Sequence, residues 1–350
     1  MRLERRERVP LSLVAVAPLA AIGVALLLAA GLIAAAGVNP LTAYAGMLRS
    51  AFGSRLALTE MLTRAAPLIL TGLAAAVAFR ARLWNIGGEG QFFVGALAVA
   101  WAGHVLLPGV LGGPLGIAAL MLIGMAAGAV LLAGPALLRV RFGVDEVVTT
   151  LLLNFVVILF VGLMIEGPLR DPLAFGWPQS VPIAAEYRLP RLVERTRLHV
   201  GLLVAVAAAG VVWLILARTV FGAEARAVGH NAAAAGFAGV SLTRTILGVA
   251  CLSGGLAGLA GAIEVMGVTR AVTTTMSPGF GYAGIVVAML AALHPAGVVA
   301  AAVFVAAVFV GADGMSRATG VPSFIADVIV ALSLLTMLVA LLFTTHRIRR

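Results

Sequence analysis

The chain has 350 residues, of which 62% are hydrophobic and only 11% charged, with a formal net charge of +10. Soluble domains are roughly 45–50% apolar and about 25% charged, so this composition cannot furnish a water-soluble surface. All 24 basic residues are arginine, which removes both the phosphate-loop lysine and lysine Schiff-base chemistry.

The arginine-rich start MRLERRERVP reads as a cytoplasmic tail at 1–10. The apolar run after it extends over 11–37, longer than the roughly 7–15 residues of a signal-peptide core, so it reads as a retained first helix. Further apolar segments follow at 60–79, 89–107, 114–138, 146–166, 199–217, 245–268, 281–293, 296–312 and 323–343. Most approach the roughly 20 residues that cross a bilayer; 281–293 is too short and reads as re-entrant or half-length. The expected fold is an all-α polytopic membrane protein of about ten transmembrane or re-entrant helices, with one transmembrane domain over 11–343.

With the N-terminus in the cytoplasm, alternating spans place Arg80, Arg82, Arg139, Arg141, the 218–244 segment and a tail at 344–350 inside. Arginine on that side fits the positive-inside rule, and both termini are then cytoplasmic. A long extracytoplasmic loop occupies 167–198; its Trp177 and Tyr187 read as interfacial aromatics, and it can meet an external binding protein.

The first two segments after α-helical entry are separated by FRARLWNIGGEGQFFVGA, from Phe79 to Ala96. Its glycines let the backbone turn and approach a neighbour closely, and Glu89 suits the positive end of a helix. Two readings stay open. The stretch is a cytoplasmic turn with Glu89 as a cap, or it dips into the bundle and lines a path with Asn85, Glu89 and Gln91.

Asp145 and Glu146 begin a helix beside Arg139 and Arg141, as a dipole-favoured ion pair would. Asn154 sits deeper, where its amide can bond a ligand or another helix. Glu264 is placed near the outer end of its span, within reach of the headgroups, and Asp327 opens the core of the last one. Gly124 and Gly128, and Gly254, Gly258 and Gly261, have the spacing of close helix packing. Cys251 reads as a small buried hydrophobe. No catalytic set, metal cluster or nucleic-acid site is indicated.

The longest cytoplasmic segment, RTVFGAEARAVGHNAAAAGFAGVSLTRT, is alanine-rich and too polar to span. A short helix over 224–236, bounded by Gly222 and Gly239, suits docking to a partner; a plain surface loop with helical character is the other reading.

The pattern Arg226-x-x-Gly229-x-Asn231-x-x-Ala234-Ala235-x-x-x-Gly239-Val240 resembles the coupling segment of permease subunits in bacterial ATP-binding-cassette importers. It is most similar to the branch that handles simple sugars, branched-chain amino acids and nucleosides. Leu83-Trp84-Asn85-Ile86-Gly87-Gly88-Glu89-Gly90-Gln91, the run from Val144 to Asn154, and Ser277-Pro278-Gly279-Phe280-Gly281-Tyr282 resemble the nucleoside-type permeases. Tyr282-Ala283 departs from the more polar pair expected there. The resemblance implies a coupling helix over 224–239, with Glu224, Arg226, Gly229, Asn231, Ala234, Ala235 and Gly239 engaging the ATPase. The candidate substrate path comprises Trp84, Asn85, Glu89, Gln91, Asn154, Phe280 and Tyr282. It also implies a bacterial inner-membrane location and separate ATPase subunits that use ATP, with no cofactor bound by this chain. A second, related permease and an extracytoplasmic binding protein complete the expected assembly. Nucleosides are the implied cargo; ribose or another simple sugar is the alternative, and an ion-gradient-driven carrier is the alternative of another class.

Overall fold

The computed structural model describes residues 2–5, 11–320 and 322–349, so the expected tail at 1–10 falls mostly outside the described residues. Each of the ten expected apolar segments is helical. Helix α1 (Leu11–Ala35) is followed by α2 (Pro40–Phe52), bent 115° from it. Then come α3 (Arg55–Arg80), α4 (Gly88–Trp101, extended by a π-helical turn at Ala102–Leu106), α5 (Gly113–Phe142) and α6 (Glu146–Glu166). After the long loop come α7 (Gly201–Arg218), α8 (Val220–His230), α9 (Ala232–Phe237) and α10 (Leu242–Glu264, extended at Val265–Thr269). The chain closes with α11 (Phe280–Leu290), α12 (Pro295–Thr319) and α13 (Ile325–Thr345). Strand β1 (Arg2–Arg5) pairs antiparallel with β2 (His346–Arg349), so the two chain ends lie side by side.

Helices α3, α5, α6, α7, α10 with its extension, and α12 are long and apolar enough to cross a membrane; the bent α1–α2 pair adds a seventh among the described residues. Helix α11 has 11 residues, or ~16 Å at 1.5 Å per residue, about half a bilayer core. Its sequence segment was short for the same reason. Helix α2 is an element the hydropathy pattern passed over. Its signals are local: Asn39 accepts from the Leu41 N–H, Pro40 opens the first turn, and Ala43, Met47 and Ala51 bury one face.

Helices α3 and α10 are buried for most of their length, whereas α5, α6 and α7 turn apolar side chains outward; Leu159 on α6 is 74% exposed. An apolar exterior of this extent belongs against lipid or another membrane chain. Inside, α10 is wedged between α5 and α4. A Cβ at Gly128 would overlap the carbonyl oxygen of Gly254, and one at Gly258 would overlap that of Gly124. Gly261 faces α4 instead, against the carbonyl of Phe92. Small residues allow this backbone contact where lipid supplies no hydrophobic drive.

Four expectations are corrected. Cys251 is exposed on α10 and is no core residue. Glu264 does not reach out to the headgroups: it is 6% exposed and faces the charges of Arg64 and Arg197 from inside. Tyr187 is fully buried, its hydroxyl donating to the Leu111 carbonyl at 2.9 Å, while Trp177 is exposed as expected. The 224–239 stretch is not one helix, because Asn231 ends α8 and caps α9 by accepting from the Ala234 N–H. The long loop is pinned over the end of α10 through Ser180 N–H to Val272 O (2.9 Å), Ile183 N–H to Arg270 O (2.8 Å) and Leu189 N–H to Met266 O (2.9 Å).

Candidate functional site

The glycine-rich stretch at 83–91 enters the bundle. Thr71 on α3 donates to the carbonyl of Phe280 at 2.9 Å. Thr71 lies nine residues before Arg80, so this junction sits ~14 Å in from that end of α3. Here the starts of α4 and α11 meet. The Gly281 N–H donates to Glu89 Oε2 at 2.6 Å, and a Cβ on Gly281 would overlap the Glu89 backbone. The Ser277 hydroxyl stands beside the same carboxylate and accepts from the N–H groups of Gly279 (3.1 Å) and Phe280 (2.9 Å). Glu89 therefore satisfies a donor that the start of α11 would otherwise leave bare.

Around it the polar side chains bond one another. Asn85 Nδ2 donates to Gln91 Oε1 (2.9 Å) and to Ser253 Oγ (3.0 Å); its Oδ1 accepts from Gln91 Nε2 (2.8 Å) and the Gly87 N–H (2.9 Å). Ser253 Oγ in turn donates to the Ala74 carbonyl at 2.7 Å. Asn154 Oδ1 accepts from the Gly90 N–H (2.8 Å), while its Nδ2 donates to the Ile86 carbonyl (2.9 Å) and Tyr282 Oη (3.2 Å). Thr150 accepts from the Ile86 N–H at 3.2 Å. Glu146 accepts from the Trp84 N–H (3.1 Å) and pairs with Arg139 (2.7 Å), which also holds the Arg82 carbonyl at 2.7 Å.

The candidate path residues thus divide. Asn85, Glu89, Gln91 and Asn154 are buried and committed to the network; Phe280 is buried against Phe92, with ring centres 5.9 Å apart. Trp84 and Tyr282 are 45% and 39% exposed. Trp84 leans on Phe79 at 4.8 Å between ring centres. Tyr282 opens onto a cavity of about 470 Å³ between α11, α12 and α13, which Phe309 and Asp327 also line. Thr150, Ser253 and Ser277 had no role assigned from the sequence; Thr150 and Ser253 are hydroxyls bonded to segments far away in the chain, and Ser277 holds the turn before α11. No group of three or more His, Cys, Asp or Glu suited to a metal occurs among the described residues.

The candidates of the 218–244 segment divide in the same way. Glu224 receives Thr245 Oγ1 at 3.3 Å, Arg226 turns back to the Leu216 carbonyl, and Ala235 is buried. A Cβ at Gly229 would overlap the Arg80 carbonyl, so α8 rests directly on the end of α3. The Arg80 guanidinium in turn donates to the Leu293 carbonyl (3.1 and 2.9 Å), in the turn between α11 and α12. Asn231, Ala234 and Gly239 stand on the open surface with Phe237, whose ring is 97% exposed at the end of α9. Phe237 was legible as a lone aromatic in a small-residue helix.

A family model described as branched-chain amino acid transport system / permease component matches residues 57–345. The chain is 34% identical to the glucose ABC transporter permease protein TsgB13 of Haloferax volcanii, over 99% of this chain and 93% of that protein. It is 34% identical to the guanosine ABC transporter permease protein NupP of Bacillus subtilis, over 91% of each chain. It is 32% identical to the nucleoside ABC transporter permease protein NupB of Lactococcus lactis, over 90% of this chain and 88% of that one. No solved structure matches.

Proposed function

The chain belongs to the branched-chain amino acid transport system permease family, and from that premise we propose that it is the membrane subunit of an ATP-driven importer of nucleosides. Its place is the bacterial inner membrane, with both termini in the cytoplasm. Separate ATPase subunits hydrolyse the ATP, a second and related permease completes the channel, and a binding protein delivers cargo over the 167–198 loop. The chain itself performs no covalent chemistry.

The observation that carries the nucleoside reading is the Tyr282 ring. It is half exposed near mid-depth, its hydroxyl is fixed by Asn154 at 3.2 Å, and a cavity of about 470 Å³ lies before it. An aromatic face with an anchored polar edge can stack on a planar base and bond its rim. Trp84 offers a second face toward the cytoplasmic end. Asn85 and Gln91 bond each other and serve as scaffold.

Coupling requires that ATP-driven closure favour one permease state over another. The exposed strip from Asn231 to Gly239 supplies the docking surface, with Phe237 as its anchor. Motion passes from α8 through the Gly229–Arg80 contact to the Leu293 turn, and so to α11, which carries Tyr282.

The TsgB13 similarity keeps a simple-sugar reading in play. Uptake of radiolabelled nucleoside into cells expressing this chain with its neighbouring transport genes separates the readings. Uptake that survives both excess unlabelled sugar and collapse of the ion gradients is expected. Competition by glucose or ribose makes the chain a sugar permease, and loss with the gradients alone makes it an ion-coupled carrier.

A further inference from the structure

We propose that the end of the bundle opposite α8 holds a binding site for a phosphate-bearing anion, distinct from the transport path. Glu60 and Arg80 lie twenty residues apart on α3, ~30 Å along its axis. At the Glu60 end is a cavity of about 580 Å³ bounded by the α2–α3 corner, the 191–197 part of the long loop and the last turns of α12. Arg64, Arg191, Arg195, Arg197 and Arg317 line it, against the two carboxylates of Glu60 and Asp313.

These charges are not equivalent. Arg197 and Arg64 both pair with Glu60, and Arg64 reaches Asp313 at 2.7 Å, so two carboxylates occupy two guanidiniums. Arg191, Arg195 and Arg317 have no ion pair and no side-chain hydrogen bond among the described residues. Glu264, behind Arg64 and Arg197, leaves the basic groups in excess even when counted as ionised. Three uncommitted guanidiniums around one cavity present the planar donor forks that bind phosphate oxygens two at a time. Ser54 caps α3 by accepting from the Ala57 N–H at 3.0 Å, so the positive end of a 26-residue helix opens beside them. Leu56, Ala57 and Val310 give the cavity an apolar wall. A neutral sugar or nucleoside would leave the three charges unmatched. A phosphate carried on a small organic stem matches charge, hydroxyls and wall together. Such a group comes either from a soluble phosphate or from the headgroup of an anionic phospholipid in the adjoining leaflet. The inference stands whether or not the transport reading does.

The test compares the wild-type chain, purified with its partner subunits, and the Arg191→Gln/Arg195→Gln/Arg317→Gln variant; the single Arg317→Gln variant serves if the triple one does not fold. In detergent, thermal unfolding is followed in inorganic phosphate and in chloride at equal ionic strength. In nanodiscs of phosphatidylglycerol or phosphatidylcholine, phospholipid retained on release is counted by native mass spectrometry. Stabilisation by phosphate that the variant loses identifies a soluble ligand. No phosphate effect, with phosphatidylglycerol held about tenfold more by wild type than by variant, identifies the headgroup. Identical behaviour of the two proteins in both arms overturns the proposal.

Discussion

Gly281 donates its backbone N–H to the Glu89 carboxylate at 2.6 Å, which ties the starts of α11 and α4 together inside the bundle. The two residues are 192 positions apart, so this bond fixes where α4 and α11 begin relative to each other. Leaving a buried donor unsatisfied costs about 1–3 kcal/mol. Glu89→Gln keeps an acceptor oxygen and is expected to hold most of the stability. Glu89→Leu is expected to lose about that amount, read as a fall in midpoint when purified protein is unfolded in detergent. Equal midpoints for the two variants would show that the bond contributes little.

At the α8–α9 end of the bundle, Phe237→Ala is the informative substitution for docking. A buried phenylalanine is worth about 1.5–3 kcal/mol relative to an exposed one, which is roughly ten- to hundredfold in affinity. The variant is expected to insert and fold normally, yet to retain its ATPase partner at least about tenfold more weakly on co-purification. Gly229 does not report on docking, because any side chain there collides with the Arg80 carbonyl and moves α8 itself. Undiminished capture of the ATPase by Phe237→Ala would place the docking surface elsewhere.

Tyr282 is expected to act through its ring more than its hydroxyl. Stacking pairs contribute about 0.5–1.5 kcal/mol beyond buried area. Tyr282→Phe should therefore raise the uptake KM by a small factor, and Tyr282→Ala by roughly tenfold or more. Concentration-dependent uptake in cells measures both. An unchanged KM in the alanine variant would remove Tyr282 from the path.

How much of this was legible in the sequence depended on the range of the interaction. Apolar period and length located ten of the helices because lipid imposes that pattern on each one separately. The Gly124–Gly128 and Gly254–Gly258 crossing was legible too, since close packing leaves its own spacing. Asn39 and Pro40 did mark α2, but a 13-residue amphipathic helix is invisible to a search for spans. The network at 85–91 was readable only as polarity in an odd place. Whether those side chains face cargo or one another is decided by Ser253, Asn154 and Gly281, and no local pattern carries that pairing. Cys251 and Glu264 failed for the converse reason: an apolar neighbourhood in sequence says nothing about which side of a helix faces the core.

Acidification is expected to weaken the end of the bundle opposite α8 through His199. This residue lies in the loop before α7, 1% exposed, with Nδ1 accepting the Gly201 N–H at 3.1 Å and Nε2 without a partner among the described residues. Its ring is packed against Gly201 and Gly267. Burial lowers its pKa from 6.5 to about 4. The folded chain therefore holds the neutral imidazole while the unfolded chain takes up a proton below pH ~6.5. Stability from this group is complete above that pH and is lost as pH falls from 6.5 toward 4, by roughly 3 kcal/mol over the whole window. His199→Asn keeps an acceptor for Gly201 and does not titrate. Its baseline stability should be lower, because a smaller side chain leaves a void, but its melting midpoint should fall less steeply than that of wild type between pH 6.5 and 4. Parallel pH profiles for the two proteins would mean that other groups govern acid sensitivity.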